Sequence, residues 1–134
     1  MEERNNQPAL NVDGLIKVPV TLDASFFRRW LQFISPLHNI SPRGMDILAS
    51  FLSNRYELSK VITDKNLLEK VAVNSDSIKK VMNECGITSN YMQVMMGRFK
   101  RDGVIIDGKI NPKFIPDLKE DSNSYKLLLY FYFN

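Results

Sequence analysis

The chain reads as an α+β protein, mainly α with a small β element after the helices, and three observations predict this. Apolar residues recur at the i, i+3, i+4, i+7 spacing of a buried helical face in several successive segments, each opened by a capping residue. Asp107-Gly108, the two-residue hairpin signal, lies between two apolar runs, "VII" and "KI". With 134 residues, 44% hydrophobic and 25% charged, the chain can fill one core but not a second.

Residues 1 to about 13 are polar and read as a mobile tail. "GLIKVPVTL" (Gly14 to Leu22) alternates weakly and holds Pro19, which suits an extended arm or an edge strand and excludes a central one. The expected organisation is therefore an extended arm over residues 1–22 and a single domain over 23–134.

Asp23 can cap a short helix whose buried face carries Phe27, Trp30, Leu31 and Ile34, and Pro36 stops it. Ser41-Pro42, a cap followed by proline at the first helical position, starts a helix over about 42–54 with Met45, Leu48, Phe51 and Leu52 inward. Thr63 caps a third helix burying Leu67, Leu68 and Val71. Ser75 or Asn74 caps a fourth with Ile78, Val81, Met82 and Cys85 on one face and Lys79 and Lys80 on the other; Gly86 ends it. Ser89 caps a fifth with Met92, Met95, Met96 and Phe99 inward, and Gly103 stops it. After the Asp107-Gly108 turn, "FIPDLKEDSNS" reads as a polar loop and "YKLLLYFYF" (Tyr125 to Phe133) as a strand buried on at least one side.

Two short helices joined by a glycine turn, followed by a hairpin, form the constellation that carries a function. Around Gly86, every position such a unit must bury is apolar: Val81, Met82, Cys85, Ile87, Met92 and Met95. The segment from about 75 to 133 resembles a winged helix-turn-helix domain, and with the helix from 42 as first member the resemblance runs from about 42 to 133. It implies a winged helix-turn-helix with a small β wing, an N-terminal extended arm and an extra N-terminal helix. The small size and style of the chain also resemble a bacteriophage open reading frame.

The resemblance implies double-stranded DNA as partner. The fifth helix would lie in the major groove and offer Thr88, Ser89, Asn90, Gln93, Val94 and Gly97 to base edges. Lys79, Lys80, Arg98, Lys100, Arg101, Lys109 and Lys113 would serve phosphates. The charge distribution is consistent with this. The net charge is +3, yet Lys79 to Lys113 holds seven basic residues against three acidic ones, so that stretch carries +4 and the rest of the chain −1.

A second reading stays open. Neither Lys nor Arg occurs on the first two turns of the fifth helix, and a small, neutral face suits a protein surface as well as a groove. Phe26, Trp30 and Phe33, with Phe27, exceed what one helix face can bury, so the N-terminal arm covers them or they form a dimer or assembly contact. On that reading the partners are neighbouring subunits of a phage particle, with a homo-oligomer among them, and the chain resides in the virion. On the first it resides in the cytoplasm of a bacterial host.

Other classes are disfavoured. One cysteine and one histidine cannot make a zinc site, so no metal is expected, and Cys85 reads as a buried small hydrophobe. His38, in a turn between helices, is expected to contact a backbone group. The sequence has no phosphate-cradling glycine loop and no nucleophile with a base and an orienting acid, so neither an enzyme nor a cofactor is expected. The N-terminal stretch opens acidic and polar, unlike a secretory leader, and no apolar run reaches the roughly 20 residues that span a bilayer.

Overall fold

The computed structural model describes residues 9–10, 14–119 and 123–134. The mobile tail expected over 1–13 lies outside the described residues except for Ala9 and Leu10. Those two form β1 (Ala9–Leu10), which pairs antiparallel with β2 (Ile16–Lys17). Among the described residues there follow five helices: α1 (Ala24–Phe33), α2 (Pro42–Ser59), α3 (Lys65–Val71), α4 (Ser75–Cys85) and α5 (Ser89–Arg101). A second antiparallel pair, β3 (Ile105–Ile106) with β4 (Lys109–Ile110), comes after them. The protein is thus mainly helical with small antiparallel β elements, α+β as expected.

Caps set the helix ends. Asp23 accepts from Ser25 N, and Ser41 accepts from Gly44 N with Pro42 at the first helical position. Two caps fall one residue away from expectation. Asp64 rather than Thr63 opens α3, its carboxylate accepting from both Asn66 N and Leu67 N, and Thr88 rather than Ser89 opens α5. Asn74 caps α4.

The core is built on α2, which runs five residues beyond the expected end at 54. Ile47, Leu48, Ala49, Ser50, Phe51 and Leu52 are all buried in succession, because α1 and α4 cover different sides of it. Phe27, Leu31 and Ile34 of α1, Val81 of α4, Met92, Met95 and Phe99 of α5, and Val104, Ile105, Ile110 and Phe114 complete one continuous cluster. At about 1.5–3 kcal/mol for each fully buried large apolar side chain, this cluster is the principal stabilising element. The seven-residue α3 is too short to persist alone. It is held by Leu68 and by Glu69, whose carboxylate accepts from Arg55 Nε at 2.6 Å.

Three buried polar residues join the helices. Ser50 Oγ donates to Glu84 Oε2 at 2.6 Å; Asn54 Nδ2 donates to Ser77 Oγ at 2.9 Å, and that hydroxyl donates to Val71 O at 2.7 Å. His38 contacts backbone as expected: Nδ1 accepts from Ile40 N, so Nε2 carries the proton and donates to Leu31 O.

The final strand expected over Tyr125 to Phe133 does not form. Residues 125–134 contain no strand, and Leu127 to Phe133 are exposed, Phe133 to 96%. An apolar run becomes a strand only where a neighbour accepts its backbone hydrogen bonds, and among the described residues β3 and β4 pair only with each other. The root of this segment is anchored: the Tyr125 ring meets Phe26 and Trp30 edge-on, each at 5.7 Å between centroids. Cys85, expected to be buried, is half-buried. Burial nonetheless raises its thiol pKa, outweighing the lowering by its Ser50 hydrogen bond and by Arg43.

Candidate nucleic-acid interface

The turn between α4 and α5 is fixed by local chemistry. Gly86 takes φ +62°, the left-handed conformation that ends a helix, and Ile87 N donates back to Met82 O at 3.1 Å. Thr88 Oγ1 then accepts from Tyr91 N at 3.1 Å and starts α5. Arg43, from the first turn of α2, reaches across and donates from Nη2 to Cys85 O at 2.8 Å. Its other arm lies 3.8 Å from Asp46, which is also paired with Arg28 at 2.7 Å. The turn is therefore tied to the start of α2.

The far end of α5 is fixed in the same way. Gly103 has φ +74° and Val104 N donates to Phe99 O at 2.8 Å. Asn111 binds the hairpin onto this end: its backbone N donates to Val104 O at 2.8 Å and its Nδ2 to Gly103 O at 2.9 Å. At the tip, Asp107 and Gly108 have φ +54° and +71°, as a two-residue hairpin turn of this kind requires.

Between these ends α5 turns Met92, Met95 and Phe99 inward, with Met96 half-buried. Ser89, Asn90, Gln93, Val94 and Gly97 are exposed, as is Thr88, whose oxygen is engaged as the cap. At about 100° per residue, Asn90, Gly97 and Arg101 lie within about 20° of one line opposite the buried stripe. Val94 flanks that line and is 51% exposed. The outer face is neutral along its first two turns and cationic in its last.

The cations divide into two groups. Lys79 and Lys80 on α4, Arg98 and Lys100 on α5, and Lys109 on β4 have no ion-pair partner among the described residues. Arg101 lies 3.1 Å from Asp102, and Lys113 donates to Leu37 O at 3.4 Å with its ammonium over the Phe114 ring. Arg98 and Arg101 line a recess of about 160 Å³ with Asn39, Ile40 and Ser41 at the start of α2.

Of the aromatic residues on α1, Trp30 donates from Nε1 to Phe114 O at 2.8 Å, and Phe26 packs on Phe27 and Tyr125. Tyr125 of the chain's own C-terminal segment packs on this face, while Phe33 remains exposed. Arg43 and Tyr125 position these surfaces and were not among the sequence-derived candidates; no local periodicity relates Arg43 to a carbonyl 42 residues on.

A cavity of about 410 Å³ lies between α2, α3 and residues 112–119 and includes the Arg55–Glu69 pair on its wall. Among the described residues no group of three His, Cys, Asp or Glu side chains could hold a metal ion, and no helix is long and apolar enough to cross a membrane. Comparison of the chain with protein-family models, curated proteins and solved structures gives no match.

Proposed function

We propose that this chain is a non-enzymatic winged helix-turn-helix module that binds double-stranded DNA, as a regulator or a replication or packaging accessory of bacterial or bacteriophage type working in a bacterial cytoplasm. In this reading α4 and α5 are the helix-turn-helix and β3–β4 the wing. The observation that carries it is the outer face of α5: Asn90, Gln93 and Val94 stand exposed on a helix fixed at both ends, with five cations on α4, α5 and the hairpin that have no ion-pair partner among the described residues. Amides at these positions can pair bidentately with adenine, and Val94 can meet a thymine methyl. Thr88 and Ser89 enter the groove first. Lys79, Lys80, Arg98, Lys100 and Lys109 serve phosphates, and Arg101 joins them by exchanging Asp102 for a phosphate.

Fluorescence anisotropy against a labelled random-sequence duplex tests the reading. Each phosphate contact releases counterions, so six contacts give a slope of log affinity against log salt of about −5.4. Absence of binding at low salt would overturn it.

One observation favours a second reading, a component of a phage particle that contacts neighbouring subunits. Seven consecutive apolar residues, Leu127 to Phe133, are exposed, a run that a protein partner would bury. Removing residues 126–134 would abolish assembly under this reading and leave duplex affinity intact under the first.

A further inference from the structure

Five of the six glycines are accounted for within the chain. Gly14, Gly86, Gly103 and Gly108 have positive φ, and a Cβ on Gly44 would lie 2.8 Å from Ile40 Cγ2 and 3.2 Å from Met95 Cε. Gly97 has neither reason. It lies inside α5 in helical conformation, is exposed, and a Cβ there would meet nothing within 4 Å. Glycine in a helix interior weakens the helix relative to alanine, because it surrenders more backbone freedom on folding. At the crest of α5 the chain therefore carries a destabilising residue that nothing inside the chain requires. What glycine provides there is a bare Cα, which lets another surface approach the helix more closely than any side chain allows.

The neighbours of Gly97 define that surface. One turn before it stand Gln93 and Val94, neutral and able to hydrogen-bond or make apolar contact; one turn after it stand Lys100 and Arg101, with Arg98 alongside. A partner touching Gly97 thus presents hydrogen-bonding and apolar edges on one side and negative charge on the other. A duplex has this asymmetry where a groove meets its rim, base edges inside and phosphates at the border.

Building on the DNA reading above, we propose that Gly97 is the point where one sugar–phosphate strand crosses α5 in contact with the helix backbone, bases lying toward Gln93 and Val94 and phosphates toward Lys100 and Arg101. The glycine sets how deeply α5 enters the groove. The N-terminal half of the helix is then within reach of base edges, and the cationic half lies over the rim.

The test compares the full chain with Gly97→Ala and Gly97→Leu by thermal unfolding, by anisotropy against a labelled random-sequence duplex, and by light scattering. Gly97→Ala is expected to raise the Tm by about 3–5 °C, as an exposed helical position does, while weakening duplex binding at least about tenfold, with Gly97→Leu weaker still. A more stable protein that binds less well separates a contact residue from a structural one. If the parent binds and both variants bind equally, the crossing point is overturned and the DNA reading stands. If the parent fails to bind at low salt, both fall. A Gly97→Ala variant with a lowered Tm would give the glycine an internal role and overturn the proposal. So would variants that change the mass in solution without a change in duplex binding, since a second copy of the chain would then be what approaches Gly97.

Discussion

Arg43 Nη2 donates to the carbonyl oxygen of Cys85 at 2.8 Å, joining the start of α2 to the last turn of α4 across 42 residues of sequence. The carbonyl it satisfies is one of those left open at a helix end, and the donor is cationic, so the bond also complements the negative end of α4. Because α5 begins four residues later, this one side chain helps set the angle between the two helices.

Arg43→Ala is accordingly expected to cost about 0.5–1.5 kcal/mol in urea unfolding with an unchanged m-value, the range for a half-exposed hydrogen bond. Arg43→Lys can supply the charge but not the two-armed contact to Cys85 O and Asp46, and should recover only part of the loss.

The buried chain Asn54–Ser77–Val71 makes a sharper prediction. Ser77→Ala leaves Asn54 Nδ2 without its acceptor and removes one of the two donors to Val71 O, which keeps Asn74 N at 3.2 Å, whereas Asn54→Ala leaves only the Ser77 oxygen with an unused acceptor site. Both sites are buried. Ser77→Ala should cost about 1–3 kcal/mol in denaturant unfolding and Asn54→Ala a similar amount, the latter mainly from the space it vacates. The double variant should cost less than the two single losses added, since they share one hydrogen bond.

Burial raises the pKa of the Tyr125 phenol above its ordinary value, and the nearby Asp117 carboxylate adds to the shift. An unfolded tyrosine ionises near about pH 10. The folded state resists ionisation, so the full stability persists below about pH 10 and is lost as pH rises through the higher folded value. Tyr125→Phe keeps the ring against Phe26 and Trp30 and should flatten this alkaline loss in a pH series of melting temperatures. Tyr125→Ala should lower stability at neutral pH by uncovering the α1 face.

The cations assigned to phosphates and Lys113 predict different salt behaviour. Lys100→Ala with Arg101→Ala should weaken binding to every duplex and reduce the slope of log affinity against log salt by about two. Lys113→Ala should leave that slope unchanged, since its ammonium is held against Leu37 O and the Phe114 ring. Anisotropy titrations across a salt series distinguish the two variants.

Elements whose cause is local were legible in the sequence. Ser41-Pro42, Gly86, Gly103 and Asp107-Gly108 each dictate a backbone conformation through their own chemistry, and each acts at the expected residue. The caps of α3 and α5 moved by one because Thr63-Asp64 and Thr88-Ser89 each pair two capping residues, and which is used depends on how the following helix packs. Asp64 satisfies two backbone N–H groups at once, so the helix begins after it. The exposed side of α5 was legible because the spacing of Met92, Met95 and Phe99 determines what faces away. Features that depend on distant partners were not legible. The run Leu127 to Phe133 has the composition of a strand, but its sequence does not encode a neighbour, and Lys113 looks like any other exposed cation until Leu37 and Phe114 are placed beside it.

The fixed ends of α5 have a practical corollary. With Thr88 fastening one end and Gly103 the other, only Met92, Met95 and Phe99 of this helix are buried. Its outward positions form a replaceable cassette: Asn90, Gln93 and Val94 can be randomised together without disturbing a single core contact, making the helix a compact library scaffold whose three inward anchors stay constant while its exposed surface is rewritten.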